Sequence, residues 1–255
     1  MRLFGLIGYP LSHSFSKGFF TKKFAEEGIE ARYENYPLPS IDAFPDLLQA
    51  EPLLEGINVT IPYKESVIQY LDEVSPAVNE IGACNCIRRV NGRLIGYNTD
   101  IIGFEKSFCK KLQASHRPAL VLGTGGASKA VQWVLQQLRV PFTVISRKSD
   151  AARGILSYGE LTREQQASSR CWINTTPLGM LPDTESRPPM DYSVLGPSHY
   201  LYDLVYNPSL TAFLAEGKQR GAVVENGQDM LEIQAVAGWE VWNGEGDQDA
   251  ALFLT

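Results

Sequence analysis

One lysine and one aspartate in this 255-residue chain have the types and spacing that acid–base chemistry would use. Lys64 follows a predicted strand and begins a predicted helix, where the positive helix end disfavours a cation and helps to lower the lysine pKa toward neutrality. If Asp100 lies beside Lys64, the two side chains can share the proton of a substrate hydroxyl. The alternatives are a solvated surface lysine and an aspartate that caps the helix predicted over residues 101–112.

Small neutral polar residues stand near the ends of predicted strands in the same part of the chain. Ser14 and Ser16 follow the first strand, and their hydroxyls suit a carboxylate, which accepts hydrogen bonds from neutral donors. Alternation along the third strand places Asn58 and Thr60 on one face, and Asn85 precedes a predicted hairpin. The set favours a small carboxylate ligand, although a serine before a helix is also an ordinary N-cap.

A glycine-rich turn, GTGGAS at residues 123–128, joins a buried strand to a helix. Without side chains the backbone can approach a pyrophosphate, and the helix N-terminus favours its negative charge. The pattern departs from G-x-G-x-x-G because a serine stands in place of the third glycine. The turn favours nucleotide binding, with close packing of strand and helix as the alternative. Its candidate cofactor-binding residues are Gly123, Gly125, Gly126, Ala127 and Ser128.

The end of the next strand indicates which dinucleotide would bind. An NAD-binding fold usually carries an acidic residue there, but this chain has Ser146, Arg147 and Lys148. A carboxylate would repel a 2′-phosphate, whereas a guanidinium can bind it through paired, charge-assisted hydrogen bonds. The residues favour NADP(H), and the alternative is a solvated basic pair at a strand end.

The order of apolar and amphipathic segments predicts an α/β protein with two sheets. Predicted strands cover residues 2–8, 31–37, 56–60, 119–122, 142–146, 171–175, 200–205 and 222–225. Predicted helices cover residues 16–27, 41–49, 63–73, 101–112, 127–139, 209–220 and 228–242. Asn91-Gly92 predicts a hairpin over residues 86–97, because both turn residues of type I′ need positive φ. The first sheet is therefore expected to be mixed and mainly parallel, and the second to be Rossmann-like.

Composition excludes several classes of protein. With 23 Lys+Arg against 29 Asp+Glu the net charge is −6, which disfavours a dedicated nucleic-acid binder. No apolar run approaches the roughly 20 residues of a membrane span, and the start lacks the pattern of a secretion signal. The four cysteines form no Cys-x-x-Cys pair, so we expect free thiols, no bound metal and a cytoplasmic location.

Taken together, the motifs resemble the shikimate dehydrogenase family in sequence and in order. The matching segments are HSFS at 13–16, GINVTIPYK at 56–64, GACN at 82–85, GYNTD at 96–100, DLVYNP at 203–208 and NGQDMLEIQ at 226–234. The resemblance implies that the substrate carboxylate is bound by Ser14, Ser16 and Tyr206. It implies that the ring hydroxyls are held by Thr60, Lys64, Asn85, Asp100 and Gln234. Lys64 would be the catalytic acid/base, with Asp100 as its partner.

For the cofactor, the resemblance implies that Arg147 binds the 2′-phosphate and that Thr175, Gly227 and Met230 lie near the nicotinamide. This chain departs from the family at Lys17, where a proline is usual, and at Ser146 and Lys148, the two neighbours of Arg147. The segment after Arg147 is also short and a poor helix former, with Gly154 inside it. One helix of the nucleotide domain is therefore expected to be truncated.

The expected activity is the reversible NADPH-dependent reduction of 3-dehydroshikimate to shikimate, a step of chorismate and aromatic amino-acid biosynthesis. Residues 1–99 plus 227–255 would form the substrate domain, with the last helix packing back on it, and residues 100–226 would bind NADP. A monomer or homodimer is expected. Two alternatives are a quinate/shikimate dehydrogenase paralogue with broader substrate use and a non-catalytic NADP-binding sensor.

Overall fold

The computed structural model describes residues 1–11 and 15–245, and its backbone divides into two compact units. Unit 1 comprises residues 1–99 and the chain from Ala235 onward, and unit 2 comprises Asp100–Gln234. The second boundary falls inside the last helix, later than the boundary predicted at residue 227. Within the described ranges, no helix is long and apolar enough to cross a membrane.

Unit 1 contains a mixed six-stranded sheet, as the sequence predicts. Its strands are β1 (Arg2–Gly8), β2 (Ala31–Pro37), β3 (Leu54–Val59), β4 (Glu73–Val74), β5 (Cys86–Val90) and β6 (Arg93–Tyr97), in the order β2-β1-β3-β5-β6-β4. β1 pairs in parallel with β2 and β3, whereas β5 pairs antiparallel with β3 and β6. The hairpin is confirmed, with φ of 51° at Asn91 and 81° at Gly92. Parallel β1 and β3 bring their carboxyl ends to one edge of the sheet.

Three α-helices accompany this sheet within residues 15–99: α1 (Phe15–Glu26), α2 (Phe44–Ala50) and α3 (Pro76–Ile81). The helix predicted over residues 63–73 is wrong. The chain forms only a short 3₁₀ helix there, Ser66–Tyr70, and then extends as β4. Hydrogen bonds to β6 replace those of a helix at this point. Asp72, directly before β4, donates its backbone amide to the Leu94 carbonyl, and its carboxylate accepts a hydrogen bond from the Leu94 amide.

The second half of the last helix, α8 (Gln228–Asn243), belongs to unit 1. Its Trp242 ring stacks on Phe4 of β1 with ring centroids 4.9 Å apart, and the indole N–H donates to the Ile87 carbonyl at 3.1 Å. A Cβ at Gly56 of β3 would lie 2.5 Å from the same indole, so only glycine leaves room for this packing. Burial of such an aromatic ring supplies much of the stabilisation of a core.

Unit 2 contains a six-stranded sheet in which every pair of neighbours is parallel. Its strands are β7 (Ala119–Leu122), β8 (Phe142–Ser146), β9 (Ile155–Ser157), β10 (Cys171–Asn174), β11 (Tyr200–Asp203) and β12 (Val223–Glu225), in the order β12-β11-β10-β7-β8-β9. This is the doubly wound order of a Rossmann-like fold, and the predicted fold class is confirmed. The topological switch point lies between β7 and β10, where such folds bind their ligands.

The helices of unit 2 are α4 (Asp100–Phe108), α5 (Gly126–Gln137), α6 (Arg163–Ser168), α7 (Ala212–Gln219) and the first half of α8. α7 begins later than predicted because the Thr211 side chain caps it, accepting the Leu214 amide. Between β8 and β9 the chain forms a single 3₁₀ turn, Ala151–Arg153, in place of a full crossover helix. A left-handed Gly154 ends this turn. The short connection agrees with the truncation predicted for this segment.

Candidate active site

Asn85 is one of the predicted polar site residues of unit 1 and is almost fully buried. Its backbone joins two strands, because its carbonyl accepts the Val59 amide at 2.8 Å and its amide donates to the Tyr97 carbonyl at 3.1 Å. Its side chain contacts Thr99: Oδ1 accepts the Thr99 amide at 2.7 Å, and Nδ2 donates to Thr99 Oγ1 at 3.1 Å. The Asn85 amide therefore holds the backbone of the residue directly before Asp100.

Lys64 lies in the turn that follows β3 and is half-buried. Its carbonyl accepts the amide of Cys84 at 2.7 Å, so the lysine is tied to the residue that precedes Asn85. The turn itself is closed by the Tyr63 amide, which donates to the Thr60 carbonyl at 2.9 Å. Lys64 does not begin a helix, because the next helical residue is Ser66, in a five-residue 3₁₀ helix. Lys64 therefore does not lie at the positive end of a helix, and that prediction is wrong. Its closeness to the Asn85 segment follows from backbone pairing.

A buried tyrosine links two of the predicted substrate-binding residues of unit 1. The Tyr33 hydroxyl donates to Asn58 Oδ1 at 2.8 Å and also forms a hydrogen bond with the Ser16 side chain. Burial raises the pKa of Tyr33 well above its ordinary value, so the phenol stays protonated. Sequence reasoning missed this tyrosine, because only the tertiary pairing of β2 with β1 places it beside Asn58. Ser14, the other predicted carboxylate ligand, lies outside the described residues.

The glycine turn of unit 2 is shaped by its close approach to β10. Gly123 has φ of 120°, and a Cβ there would lie 2.5 Å from Thr175 Oγ1. That hydroxyl donates to the Leu122 carbonyl at 2.7 Å, which fixes the end of β7 against the end of β10. A side chain at Gly123 would be both strained and blocked, so the glycine is required by this turn.

The N-terminus of α5 carries the remaining residues of the turn. Gly125 is its N-cap and makes no side-chain cap, and a Cβ there would meet open space. Gly126 and Ala127 follow as the first helical residues, so the first amides of α5 are directed to a cradle without side chains. Ser128 is buried and donates its hydroxyl to the Gly123 carbonyl at 2.7 Å. Its side chain thus stabilises the turn. The cradle fits a pyrophosphate, which backbone amides at a helix N-terminus can bind.

The basic residues predicted to select NADP follow β8. Because β7 and β8 are parallel, these residues lie at the same edge of the sheet as the glycine turn, at the carboxyl ends of the strands. Arg147 and Lys148 are exposed, and Ser146 is half-buried with its carbonyl accepting the Tyr158 amide at 3.2 Å. Burial raises the pKa of Tyr158 to about 12, and the Arg147 charge opposes that rise. The guanidinium therefore lies close to the end of β9, and its exposure leaves it accessible to a phosphate.

Asp100 and Gln234 belong to two helices of unit 2 that pack closely. Asp100 is the first residue of α4 and is 5% exposed. Gly103 lies three residues further on the same helix face, and a Cβ there would come 2.5 Å from the Met230 carbonyl and 3.0 Å from Gln234 Cβ. Gly103 was missed, yet a glycine inside a predicted helix is the signal that could have found it. Its lack of a side chain brings α8 against the Asp100 helix.

Tyr206 and Gly227 lie in neighbouring loops of unit 2. The Gly227 amide donates to the Val205 carbonyl at 3.2 Å, and a Cβ at Gly227 would collide with the Leu204 carbonyl. Burial raises the pKa of Tyr206, which is therefore a neutral hydrogen-bonding phenol at physiological pH. Asp203 lies directly before this loop and is fully buried. Desolvation raises the pKa of its carboxyl group to about 7, although three hydrogen bonds to the carboxyl group lower the pKa.

The predicted site residues thus separate between the two units. Unit 1 holds Ser16, Asn58, Thr60, Lys64 and Asn85, and unit 2 holds Asp100, Tyr206, Gln234 and the candidate cofactor-binding residues. Among the residues that the structure describes, no three His, Cys, Asp or Glu side chains form a cluster suited to a metal. A mixed sheet with polar strand ends and a Rossmann-like unit with a glycine cradle define a dinucleotide-dependent oxidoreductase.

Comparison with known proteins identifies the family. Residues 6–87 match the model of the shikimate dehydrogenase substrate binding domain. A shikimate dehydrogenase (NADP(+)) from Symbiobacterium thermophilum is 38% identical over 95% of this chain and 89% of its own length. The chain belongs to the shikimate dehydrogenase family.

Solved structures agree with this assignment. The shikimate 5-dehydrogenase of Thermus thermophilus, in complex with NADP(H) and shikimate, superposes with a TM-score of 0.85 at 33% identity, covering 96% of this chain and 94% of that one. The ligand-free 5-ketofructose reductase of a Gluconobacter species has a TM-score of 0.81 at 26% identity, with 95% and 93% coverage. The fold is therefore shared with an enzyme named for a different carbonyl substrate.

Proposed function

We propose that this protein catalyses the reversible NADP-dependent oxidation of shikimate to 3-dehydroshikimate. The observation that carries the proposal is the arrangement around Asn85, whose neighbour Cys84 binds the Lys64 backbone and whose side chain binds Thr99, directly before Asp100. Relatives with 38% and 34% identity are named shikimate dehydrogenase (NADP(+)), and the Thermus structure contains both ligands. Together these observations support the reaction predicted from the sequence.

The residues of unit 2 fit an NADP molecule. The cradle of Gly123, Gly125, Gly126 and Ala127 would receive the pyrophosphate on backbone amides, and Arg147, with Ser146 and Lys148 beside it, would bind the 2′-phosphate. Ser128 would act through the shape of the turn, since its hydroxyl is bonded to Gly123. Thr175, Gly227 and Met230 would contact the nicotinamide side. When bound, NADP(H) accepts or supplies the hydride of the reaction.

The residues of unit 1 would bind the substrate, together with side chains from unit 2. Ser14, Ser16 and Tyr206 would bind the carboxylate through neutral hydroxyls, and Asn58, Thr60, Asn85 and Gln234 would bind the ring hydroxyls. Lys64 would take the proton of the reacting hydroxyl as shikimate is oxidised, and would return it to the carbonyl oxygen in the reverse direction. Asp100 would hold the same hydroxyl and stabilise the charged form of Lys64.

The assignment of roles to parts of the chain follows from these residues. We infer that residues 1–99 together with residues 227–255 form the substrate domain and that residues 100–226 form the NADP domain. The cytoplasmic location and the monomeric or homodimeric state remain predictions. The net charge of −6 is compatible with two anionic ligands, because neutral hydroxyls receive the carboxylate and a small basic group receives the phosphate.

A second candidate function is the reduction of another polyhydroxylated carbonyl compound. It is favoured by the likeness to 5-ketofructose reductase, at 26% identity over nearly the whole chain. A broader quinate/shikimate activity remains a further alternative, and a non-catalytic NADP sensor is the alternative from another class. The HSFS motif at residues 13–16 and Tyr206 favour a carboxylate-bearing substrate over a simple sugar.

An activity matrix distinguishes these candidates. Purified protein is assayed for oxidation of shikimate and of quinate, each with NADP⁺ and with NAD⁺. It is assayed for reduction of 5-ketofructose with NADPH and with NADH. We expect the highest kcat/KM for shikimate with NADP⁺. Comparable values for quinate would indicate the broader paralogue, and 5-ketofructose as the best substrate would overturn the proposal. NADP binding by calorimetry without turnover of any of the three compounds would indicate a sensor.

A further inference from the structure

A buried aspartate in unit 2 has no role in the reaction described above. Asp203 is the last residue of β11 and is 0% exposed. Its carboxyl oxygens accept hydrogen bonds from Thr211 Oγ1 at 2.5 Å, from Asn174 Nδ2 at 2.9 Å and from the Val205 amide at 3.0 Å. A buried carboxyl group is retained at such a position only where several donors satisfy it.

The three donors come from three different segments of the chain. Asn174 is the last residue of β10. Its Oδ1 accepts two hydrogen bonds from Thr176, one from the hydroxyl at 2.6 Å and one from the backbone amide at 3.0 Å. Val205 begins the loop that carries Tyr206, and Thr211 ends that loop as the N-cap of α7. Asp203 thus connects the segment that contains Thr175 to both ends of the Tyr206 loop.

Other hydrogen bonds also hold the backbone of this loop. Asn226 Nδ2 donates to the Ser209 carbonyl at 2.8 Å, and the Gly227 amide donates to the Val205 carbonyl at 3.2 Å. The Leu204 amide donates to the Asn174 carbonyl at 2.9 Å. These bonds fix the backbone, but Asp203 is the group that accepts from both ends of the loop and from the neighbouring strand.

We propose that Asp203 is a positioning residue that sets the orientation of Tyr206 by joining both ends of its loop to Asn174. The inference rests on the proposed function, in which Tyr206 binds the substrate carboxylate. Asp203 itself touches neither ligand in this account. Its role differs from that of a core residue, because its loss should weaken substrate binding through Tyr206 before it affects hydride transfer.

The substitution Asp203→Asn tests this role with little change in volume. In an assay at about pH 8, above the Asp203 pKa of about 7, the carboxyl is ionised and presents only acceptors to its three donors. An amide presents one oxygen and one NH₂ group, so at least one donor loses its partner. We expect KM for shikimate to rise about tenfold, in line with the loss of one hydrogen bond to a charged group, while kcat changes much less. Asp183→Asn, at an exposed position of the same unit, is the matched control and should leave both constants unchanged.

A double-substitution cycle separates positioning from general destabilisation. If Asp203 acts through Tyr206, the KM of Asp203→Asn/Tyr206→Phe should equal that of Tyr206→Phe alone, because the two changes remove the same interaction. Independent, multiplicative effects on KM would overturn the proposal. So would an Asp203→Asn protein with a lower melting temperature and an unchanged KM.

Two further measurements keep the proposal testable under other outcomes. If Asp203→Asn does not fold, Thr211→Ala and Thr211→Ser are compared: the serine keeps the donor and should preserve KM, and the alanine should raise it. If the wild-type protein does not oxidise shikimate, the proposed function fails on its own, and crystal structures of wild type and Asp203→Asn decide the positioning role. A displaced Tyr206 side chain supports it, and an unmoved one overturns it.

Discussion

Asn85 and Thr99 are joined by three hydrogen bonds between the asparagine side chain and the threonine backbone and hydroxyl, at 2.7, 3.1 and 3.4 Å. Thr99 directly precedes Asp100, and consecutive Cα atoms lie about 3.8 Å apart, so this contact fixes the backbone next to the proposed catalytic aspartate. We therefore expect Asn85 to influence Asp100 through the backbone of Thr99, in addition to being a candidate ligand of the substrate. Its two roles can be separated kinetically.

Replacing Asn85 with alanine should lower kcat for shikimate oxidation by about 10²-fold, because small displacements of a catalytic group have effects of that size. The fall in kcat should exceed the rise in KM, since a lost substrate hydrogen bond alone would act mainly on KM. Steady-state kinetics measure both. Asn79→Ala, at an exposed position of α3, is the control and should behave as wild type. An Asn85→Ala enzyme with normal kcat would contradict the positioning role.

Arg147→Ala should raise KM for NADP⁺ by about 10- to 100-fold, the equivalent of losing charge-assisted hydrogen bonds to the 2′-phosphate. KM for NAD⁺ should stay nearly constant, because NAD⁺ has no such phosphate. The nearby exposed Arg153 provides the matched control, and Arg153→Ala should change neither constant. Equal changes for both cofactors would place Arg147 outside the 2′-phosphate site.

Two helical glycines give a matched pair of stability predictions. Gly103→Ala should lower the free energy of unfolding by about 1–3 kcal/mol, because the new Cβ would press on the Met230 carbonyl. Gly18→Ala in α1 should raise it by up to about 1 kcal/mol, since its Cβ would meet open space and alanine favours a helix. Urea unfolding measures both. A stabilised Gly103→Ala protein would show that α4 and α8 do not pack as described.

The raised pKa of Asp203 predicts a pH dependence of stability. The folded protein keeps this carboxyl protonated up to about pH 7, whereas the unfolded chain releases the proton near its ordinary pKa of 3.8. Unfolding therefore releases a proton between these values. The Asp203 contribution to stability is complete below about pH 4 and is lost as the pH rises through 7, by at most about 1.4 kcal/mol per pH unit.

Comparison with Asp203→Asn isolates this contribution, because the amide does not titrate. The difference in free energy of unfolding between wild type and variant should change in favour of the variant as the pH rises from about 5 to 7, and should level off above about pH 8. Urea titrations across that range measure it. A difference that is independent of pH would show that the carboxyl titrates at its ordinary value.

Much of the architecture was predictable because local signals agree with tertiary pairing. Short apolar runs predicted the central strands, Asn91-Gly92 predicted the hairpin, and the glycine turn predicted the junction of β7 and α5. The elements that were missed are short. Two of them, the helices α3 and α6, have six residues each and are capped locally by Ser75 and Thr162, whereas the missed strands depend on distant partners. β4 has two residues, β9 has three, and each is extended only because it pairs in parallel with another strand.

The candidate site also combines residues that the sequence identifies with residues that only tertiary contacts place there. Motif residues such as Asn85 could be identified from the sequence, but their supporting side chains could not. Tyr33 is placed beside Asn58 by the register of β2 on β1, and Asp203 meets Thr211 and Asn174 only after β10 and β11 have paired. Long-range contacts of this kind leave no periodic pattern in the sequence.

The most direct test of the account is the turnover of shikimate with NADP⁺ by wild type and by Lys64→Ala. Because general acid–base catalysis contributes about 10²- to 10⁴-fold, we predict a fall in kcat of that size, with reduced nicotinamide followed by its absorbance. Lys22→Ala, with a side chain that is 75% exposed in α1, should turn over as wild type does. Undiminished kcat in Lys64→Ala would contradict the assignment of Lys64 as the proton-transferring residue.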